Sequence, residues 1–446
     1  MPTQPVLHRP LSVMERSCWH ANRVDALNGQ AIAEVEGDLP VASIRKALDF
    51  LQQRYPLLNV GIRREGGRIV FRRGVVPPIP MRVLEIPKEK WVEEAEAEVK
   101  RSVTCETGPQ ARCVLLRHGD SRSTILMTFP HIVGEGYSWY LLIRDLLEKA
   151  AGADPRNVEG EMAYLPVSLY DRLPTSVKGV SGFTHFAGML SRELAGYIRE
   201  GGAPRRLDLD LTTPFAERRT RLTPVRFDRA FTGRLLDRSR REGTSVHGAI
   251  CAAGLLAVSK VMTDGSPRVF ACTSAVDMRK RLTPPIGEEM GLFVSVLWAV
   301  QRVQQDGSFW DLARKIREKL AAKIALGDPS VVASGGSMLL PALECLPGRD
   351  RSGRIVKLAE SFMYNFKGTG VSNLGRTELP EQMGGFTVKS ISFSGSLVNL
   401  GYFLSVVNTF NGALNVNYLF NEPLIDQDRA RVLAKTAEAF LKGSVD

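Results

Sequence analysis

His131 and Glu135 stand four positions apart in the stretch Phe129-Pro130-His131-Ile132-Val133-Gly134-Glu135-Gly136. An imidazole near a carboxylate is a common arrangement for proton transfer, the imidazole taking the proton while the acid orients it. Gly134 and Gly136 let the backbone bend tightly around both side chains. A plainer reading of the same residues is a loop histidine that only hydrogen-bonds its surroundings. The pattern His-x-x-x-Glu-Gly is short enough to arise by chance, so the elements around it carry the argument.

Those elements are legible. Val114-Leu115-Leu116 and Ile125-Leu126-Met127 are apolar runs separated by Arg117-His118-Gly119-Asp120-Ser121-Arg122. Gly-Asp in a polar gap between two such runs predicts a β-hairpin. The second run ends at Pro130, which has no N–H for a sheet ladder and suits a strand terminus. After Gly136, residues Trp139, Leu142, Ile143, Leu146, Leu147 and Ala150 recur with helical spacing. They predict one apolar helix face, with Arg144, Asp145, Glu148 and Lys149 on the other and Gly152 as the stop. His131 is thus expected in a strand-to-helix turn, near a helix N-terminus whose positive dipole end favours the neutral imidazole a general base requires.

The chain has 446 residues, 44% hydrophobic and 24% charged. That is ordinary for a globular protein, and the length predicts two domains of roughly 200 residues each. Met1 to Pro5 shows no apolar signal segment, and the longest apolar run, Ile250 to Val258, is too short to span a bilayer. The expected location is cytoplasmic, without a transmembrane segment. Cys18, Cys105, Cys113, Cys251, Cys272 and Cys345 form no C-x-x-C pair, and the histidines show no ligand spacing. Reduced cysteines are expected and no metal is implied. No phosphate-binding glycine motif is present.

The net charge of +11 has basic clusters at Arg205-Arg206, Arg218 to Arg221, Arg238 to Arg241 and Arg349 to Arg354. Nucleic-acid binding would add a recognisable module or interleaved aromatics, and aromatics are only 7%, so no nucleic acid is implied. A solvated basic surface is one reading. The other is steering toward an anionic partner such as a CoA phosphate or an acidic carrier protein.

Along the chain, helices are expected near Ser43–Tyr55 (Ser43 as cap), Trp91–Val103, Phe183–Arg199 and Phe231–Glu242. Another should start at Thr244 or Ser245, and a last one should run from about Gln427 to Leu441. Strands are expected over Leu57–Ile62, Arg68–Phe71 and Val269–Ala275, and a hairpin turns at Asn411-Gly412. The Gly-, Pro- and Arg-rich run after Glu200 reads as a linker, giving domains 1–200 and 222–446 around 201–221.

Several segments, in order, resemble one superfamily: Leu11 to Arg16, Arg54-Tyr55-Pro56-Leu57-Leu58, the His131 stretch, Gly243 to Ala253, Val276-Asp277-Met278-Arg279, Val371-Ser372-Asn373-Leu374-Gly375 and the Tyr402 to Tyr418 hairpin. They are similar to the condensation-domain and chloramphenicol-acetyltransferase-like acyltransferases, among them polyketide-associated acyltransferases, wax ester synthases and alcohol acetyltransferases. The resemblance implies an α/β fold of two similar sandwich domains arranged as a V, with the active site in a tunnel between them. It implies His131 as general base, with Glu135 as a structural acid paired to Arg279 of the second domain. Gly136 and Asn373 shape the catalytic loops, and Ser372 is a candidate oxyanion donor. The chain departs from the family in two places: Glu135 stands where the pattern has Asp, and Pro130 where many relatives carry a second His. The added methylene implies a pair placed differently or absent.

The function so implied is acyl transfer from a CoA or acyl-carrier thioester to a hydroxyl acceptor by direct attack, giving an ester. No cofactor is bound permanently, and the acyl-CoA or phosphopantetheine-linked acyl group is a substrate. Partners would be a small-molecule alcohol or amine and an acidic acyl or peptidyl carrier protein. Two alternatives stand beside this: a freestanding condensation enzyme forming an amide on a carrier-bound amine, and an inactive relative that binds acyl chains or a partner.

Overall fold

The computed structural model describes residues 8–119, 121–153, 165–204, 207, 209–345, 350–364, 368–398 and 403–445. Asp120, Arg205, Arg206, Arg349 and Tyr402, each part of an expected turn, cluster or hairpin, lie outside the described residues.

The chain opens with β1 (His8–Pro10), α1 (Val13–Val24), β2 (Asn28–Gly37) and α2 (Val41–Arg54). Next come β3 (Val60–Glu65), β4 (Arg68–Arg73), β5 (Met81–Glu85), α3 (Trp91–Lys100), β6 (Arg112–Arg117) and β7 (Arg122–Pro130). Helices α4 (Gly136–Ala150), α5 (Leu169–Arg172) and α6 (Gly179–Arg199) lead to β8 (Arg219–Phe227), α7 (Arg229–Arg241) and α8 (Val246–Met262). The chain continues through β9 (Arg268–Asp277), β10 (Val294–Val303), α9 (Phe309–Ala325), α10 (Asp328–Glu344) and α11 (Arg351–Tyr364). It closes with β11 (Gly368–Thr377), β12 (Gln382–Met383), β13 (Phe386–Gly395), β14 (Phe403–Phe410), β15 (Ala413–Glu422) and α12 (Gln427–Gly443).

Two compact units emerge, each mixed α/β. The first holds Met1–Arg172 and two later segments, Arg279–Phe293 and Thr377–Ser396. Its main sheet runs β12-β13-β2-β7-β6-β5, and a small sheet runs β1-β4-β3. The predicted hairpin is present, with Val114 opposite Leu126. β13 joins from far along the sequence and pairs antiparallel with β2, Phe393 opposite Ala31. The second unit holds Leu173–Met278, Val294–Arg376 and Leu397–Asp446 around the sheet β10-β9-β11-β14-β15-β8. Helix α8 is buried along its whole length from Gly248 to Ser259, as expected of a helix apolar on every side. Asn411 and Gly412 both have positive φ (44° and 85°), the geometry the Asn-Gly turn requires.

The unit boundary falls after Arg172, earlier than the expected linker, because α6 packs against α10 of the second unit. Arg279 likewise clusters with the first unit, whereas the resemblance assigned it to the second domain. Helix α2 begins at Val41 after Pro40, so Ser43 is not its cap; Ile44, Ala47, Leu48 and Leu51 are fully buried, as their spacing predicts.

Candidate active site

His131 follows directly on β7, whose last residue Pro130 is opposite Asn28 of β2. Its N–H donates to the Leu27 carbonyl at 2.8 Å, which holds the start of the turn against the sheet. Val133 N–H then donates to the Pro130 carbonyl at 3.2 Å, and α4 begins three residues later. The imidazole is half-buried and packs edge-on to Trp139, with ring centroids 5.0 Å apart. Its Nδ1 is buried and has no hydrogen-bond partner among the described residues, and the same holds for Trp139 Nε1. Burial pulls the His131 pKa below its ordinary value, opposed in smaller measure by the carbonyls of His131 and Gly134. Desolvation is the main cause. The ring is held neutral, the form that can accept a proton.

Room for this arrangement comes from Gly29 on β2. A Cβ there would lie 1.9 Å from Cζ2 of Trp139, so the indole that backs His131 occupies the space a side chain would need.

Glu135 does something other than orient the base. It is the N-cap of α4, accepting from Tyr137 N–H at 2.8 Å. Its other oxygen accepts from Arg279 Nε (3.1 Å) and Nη2 (2.7 Å). The pair is thus formed, and the extra methylene lets one carboxylate serve both the helix end and the guanidinium. Arg279 is almost fully buried and also donates to the carbonyls of Gly287 (3.0 Å) and Glu289 (2.7 Å) and to Ser138 Oγ (3.0 Å). Tyr137 and Phe293 present ring faces to it at 4.9 and 4.8 Å. Ser138 adds two bonds to Gly291, donating to its carbonyl at 2.9 Å and accepting from its N–H at 3.1 Å. Arg144 grips Glu288 with both terminal nitrogens. The first three turns of α4 are therefore stitched to the segment 279–293, which fixes where the His131 turn enters the helix.

Next to Arg144, Asp145 is fully buried, although helical spacing placed it on the polar face. Its carboxylate accepts from Tyr55 Oη at 2.6 Å and from Arg144 Nε at 2.8 Å, and it is ion-paired with Arg54, whose Nε lies 2.9 Å away. That network raises the Tyr55 pKa, chiefly through burial and then through the Asp145 charge. It ties the Arg54-Tyr55 end of α2 to α4.

His131, Glu135, Gly136 and Arg279 come together within the first unit. Ser372 and Asn373 lie in β11 in the second, Ser372 half-buried, and Asn373 Oδ1 accepts from Gly375 N–H at 2.8 Å. Gly375, within β11, has φ +77°, a backbone conformation that favours glycine. His247 Nε2 lies 2.9 Å from Ser274 Oγ, while Ser245 caps α8. His20 is buried edge-on to Trp19 in α1. Ser138, Gly29 and the carbonyls of 287–291 went unanticipated. Ser138, three residues past Glu135 on the expected helix, was within reach of a spacing argument; the others depend on tertiary contact.

The condensation-domain family model matches residues 8–153. A second model, the C-terminus of phthiocerol/phthiodiolone dimycocerosyl transferase, matches residues 216–342. The two matched stretches are similar to condensation domains and to this acyltransferase. Among curated relatives of the superfamily, phosphinothricin tripeptide synthetase PhsC of Streptomyces viridochromogenes is 25% identical over 72% of this chain, which spans 30% of that relative's length. Two solved superfamily structures share the fold along nearly their whole length. Trichothecene 15-O-acetyltransferase from Fusarium sporotrichioides has a TM-score of 0.71 at 13% identity, covering 98% of this chain and 95% of its own. Polyketide synthase associated protein 5 from Mycobacterium tuberculosis has a TM-score of 0.63 at 14% identity, covering 100% and 99%. Among the described residues no single helix is long and apolar enough to cross a membrane.

Proposed function

We propose that the protein transfers an acyl group from a CoA or phosphopantetheine-linked thioester to a hydroxyl acceptor, with His131 as general base. The observation that carries this is the His131 turn: a half-buried imidazole whose pKa is lowered by burial, with an unpartnered Nδ1, behind a loop stitched by Glu135, Ser138 and Arg279. In this reading the neutral imidazole takes the acceptor's hydroxyl proton as oxygen attacks the thioester carbon. The C–O bond forms, the C–S bond breaks, and the imidazolium returns its proton to the departing thiolate. No covalent acyl-enzyme is needed. Ser372 is the proposed donor to the oxyanion, while Gly136, Glu135, Arg279 and Asn373 hold loops in place.

The second reading, amide formation on a carrier-bound amine, is supported by the condensation-domain match and by the resemblance to a tripeptide synthetase. The base has the same task in both, so acceptor competition between alcohols and carrier-bound amines separates them.

Thiol release from an acyl thioester should depend on acceptor and fall about 100- to 10,000-fold in His131→Ala. Undiminished turnover in the variant would refute the mechanism. Absence of turnover by the unaltered protein with both CoA and carrier donors would favour a binding role instead. Ser372→Ala should lower kcat without raising KM if its hydroxyl meets the developing oxyanion.

A further inference from the structure

Helix α8 and strand β9 of the second unit bring two thiols and an imidazole together, none of which the reaction proposed above uses. His247 and Cys251 are four positions apart on α8, so they share one face of the helix. Cys272 and Ser274 are two apart on β9 and share one face of the strand. These faces meet: His247 Nε2 lies 3.5 Å from Cys251 Sγ and 2.9 Å from Ser274 Oγ, and Cys251 Sγ lies 3.9 Å from Ser274 Oγ. Cys272 is hydrogen-bonded to Cys251 through its side chain. Both cysteines are fully buried and Ser274 nearly so, while His247, one helical turn nearer the start of α8, is half-buried.

Other buried cysteines show what enclosure alone does. Burial pushes Cys105 and Cys113 up to about 12. Burial acts on Cys251 in the same sense, but Cys272, His247 and Ser274 outweigh it and bring its pKa well below the ordinary thiol value. Cys272 moves up, through its hydrogen bond to Cys251 and then through burial. The two sulfurs are therefore unequal: Cys251 is held as a thiolate beside the imidazole, and Cys272 keeps its proton against it. A thiolate with a resolving thiol beside it is the arrangement that thiol oxidation to a disulfide requires. Full burial of Cys251 shuts out bulky electrophiles and leaves a small hydroperoxide as the oxidant that fits.

We propose that Cys251 and Cys272 are a reversible dithiol–disulfide couple, with Cys251 as the attacking sulfur and His247 as the group that stabilises its thiolate. The Cys251 thiolate attacks one oxygen of hydrogen peroxide; the S–O bond forms, the O–O bond breaks, and the departing hydroxide takes the His247 proton. Cys272 then attacks the sulfur of this sulfenic acid; the S–S bond forms, the S–O bond breaks, and hydroxide leaves as water with the Cys272 proton. Two electrons pass from the sulfurs to the peroxide, and the bridge staples α8 to β9. The test is peroxide treatment of the full chain, followed by digestion without reductant and peptide mapping by mass. The expected product is a linked Cys251–Cys272 peptide, reversed by dithiothreitol, in a protein whose melting temperature has risen. Cys272→Ser should stop at a sulfenic acid on Cys251 that dimedone traps. His247→Gln should slow the linkage about tenfold. Should that variant melt early, the unaltered protein supplies an independent reading. Its oxidation rate should stay level between about pH 8 and about pH 6, where a thiol of pKa about 8.5 slows roughly a hundredfold. No linked peptide, or linkage to a different cysteine, overturns the proposal. So does a rate that His247→Gln leaves unchanged, or one that falls with pH as an ordinary thiol's does.

Discussion

Two histidines, one in each unit, show how the same side chain is given different surroundings. His131 sits in a turn, its Nδ1 without a partner, against an indole edge, with its pKa lowered by burial. His247 sits in the first turn of α8, its Nε2 2.9 Å from Ser274 Oγ and 3.5 Å from Cys251 Sγ. Burial pulls His247 down too, but the neighbouring Cys251 outweighs it and raises the pKa. Cys251 moves the opposite way: burial raises it, and contacts with Cys272, His247 and Ser274 outweigh that. His247 thus has its Nε2 engaged within a buried cluster. His131 Nδ1 has no such side-chain partner, and the turn that carries it is fixed by Glu135, Ser138 and Arg279. A general base needs the second arrangement.

The largest expected separation between the two is in rate. His131→Ala should slow acyl transfer about 100- to 10,000-fold, equivalent to about 2.7–5.5 kcal/mol of barrier. Next is the loop that holds it. Arg279→Met leaves Glu135 buried and uncompensated, which should lower unfolding free energy by about 3–5 kcal/mol in denaturant titration. Replacing both partners, Glu135→Met with Arg279→Met, should recover much of that loss while leaving the turn misplaced and the rate low. Recovery of rate in the double variant would show that the pair does not position His131. Smaller again is Gly29→Ala: the new methyl must push Trp139 aside, costing about 1–3 kcal/mol. Its rate should fall through kcat more than KM, because the displaced indole backs the base and not the substrate.

His131 could be picked out in the sequence because strand, proline, glycines and helix periodicity are all local, and each left a pattern within ten or so residues. The stitching was not legible to the same depth. Glu135 and Arg279 are 144 positions apart, and only the family resemblance linked them. That they share a unit follows from a return of the chain over 279–293 that no periodicity signals. Asp145 misled for a related reason. Helical spacing reports which face a residue occupies, but not that Arg54 and Tyr55 wait behind that face to satisfy a carboxylate. Strand β13 completes the first unit's sheet from the far end of the sequence, so the unit boundary could not be drawn from a polar linker alone.

The finest distinction between the two histidines lies in pH dependence. The folded-state pKa of His131 is depressed below the ordinary value near 6.5. The acid limb of kcat/KM should therefore lie below that value, with the rate already level at neutral pH. The same shift has a stability consequence of definite sign. Above the unfolded-state pKa neither state holds the proton and no stability is lost. As pH falls toward the depressed folded pKa, the unfolded chain takes up a proton the folded turn refuses, and stability declines. His131→Gln should flatten that part of the stability–pH curve while abolishing the acid limb of activity. His247→Gln should leave the acid limb where it was and change the rate less than about twofold, at a cost of about 1 kcal/mol for the lost contact with Ser274. An acid limb that moves with His247 would mean that the uncommitted imidazole is not the one that titrates in the reaction.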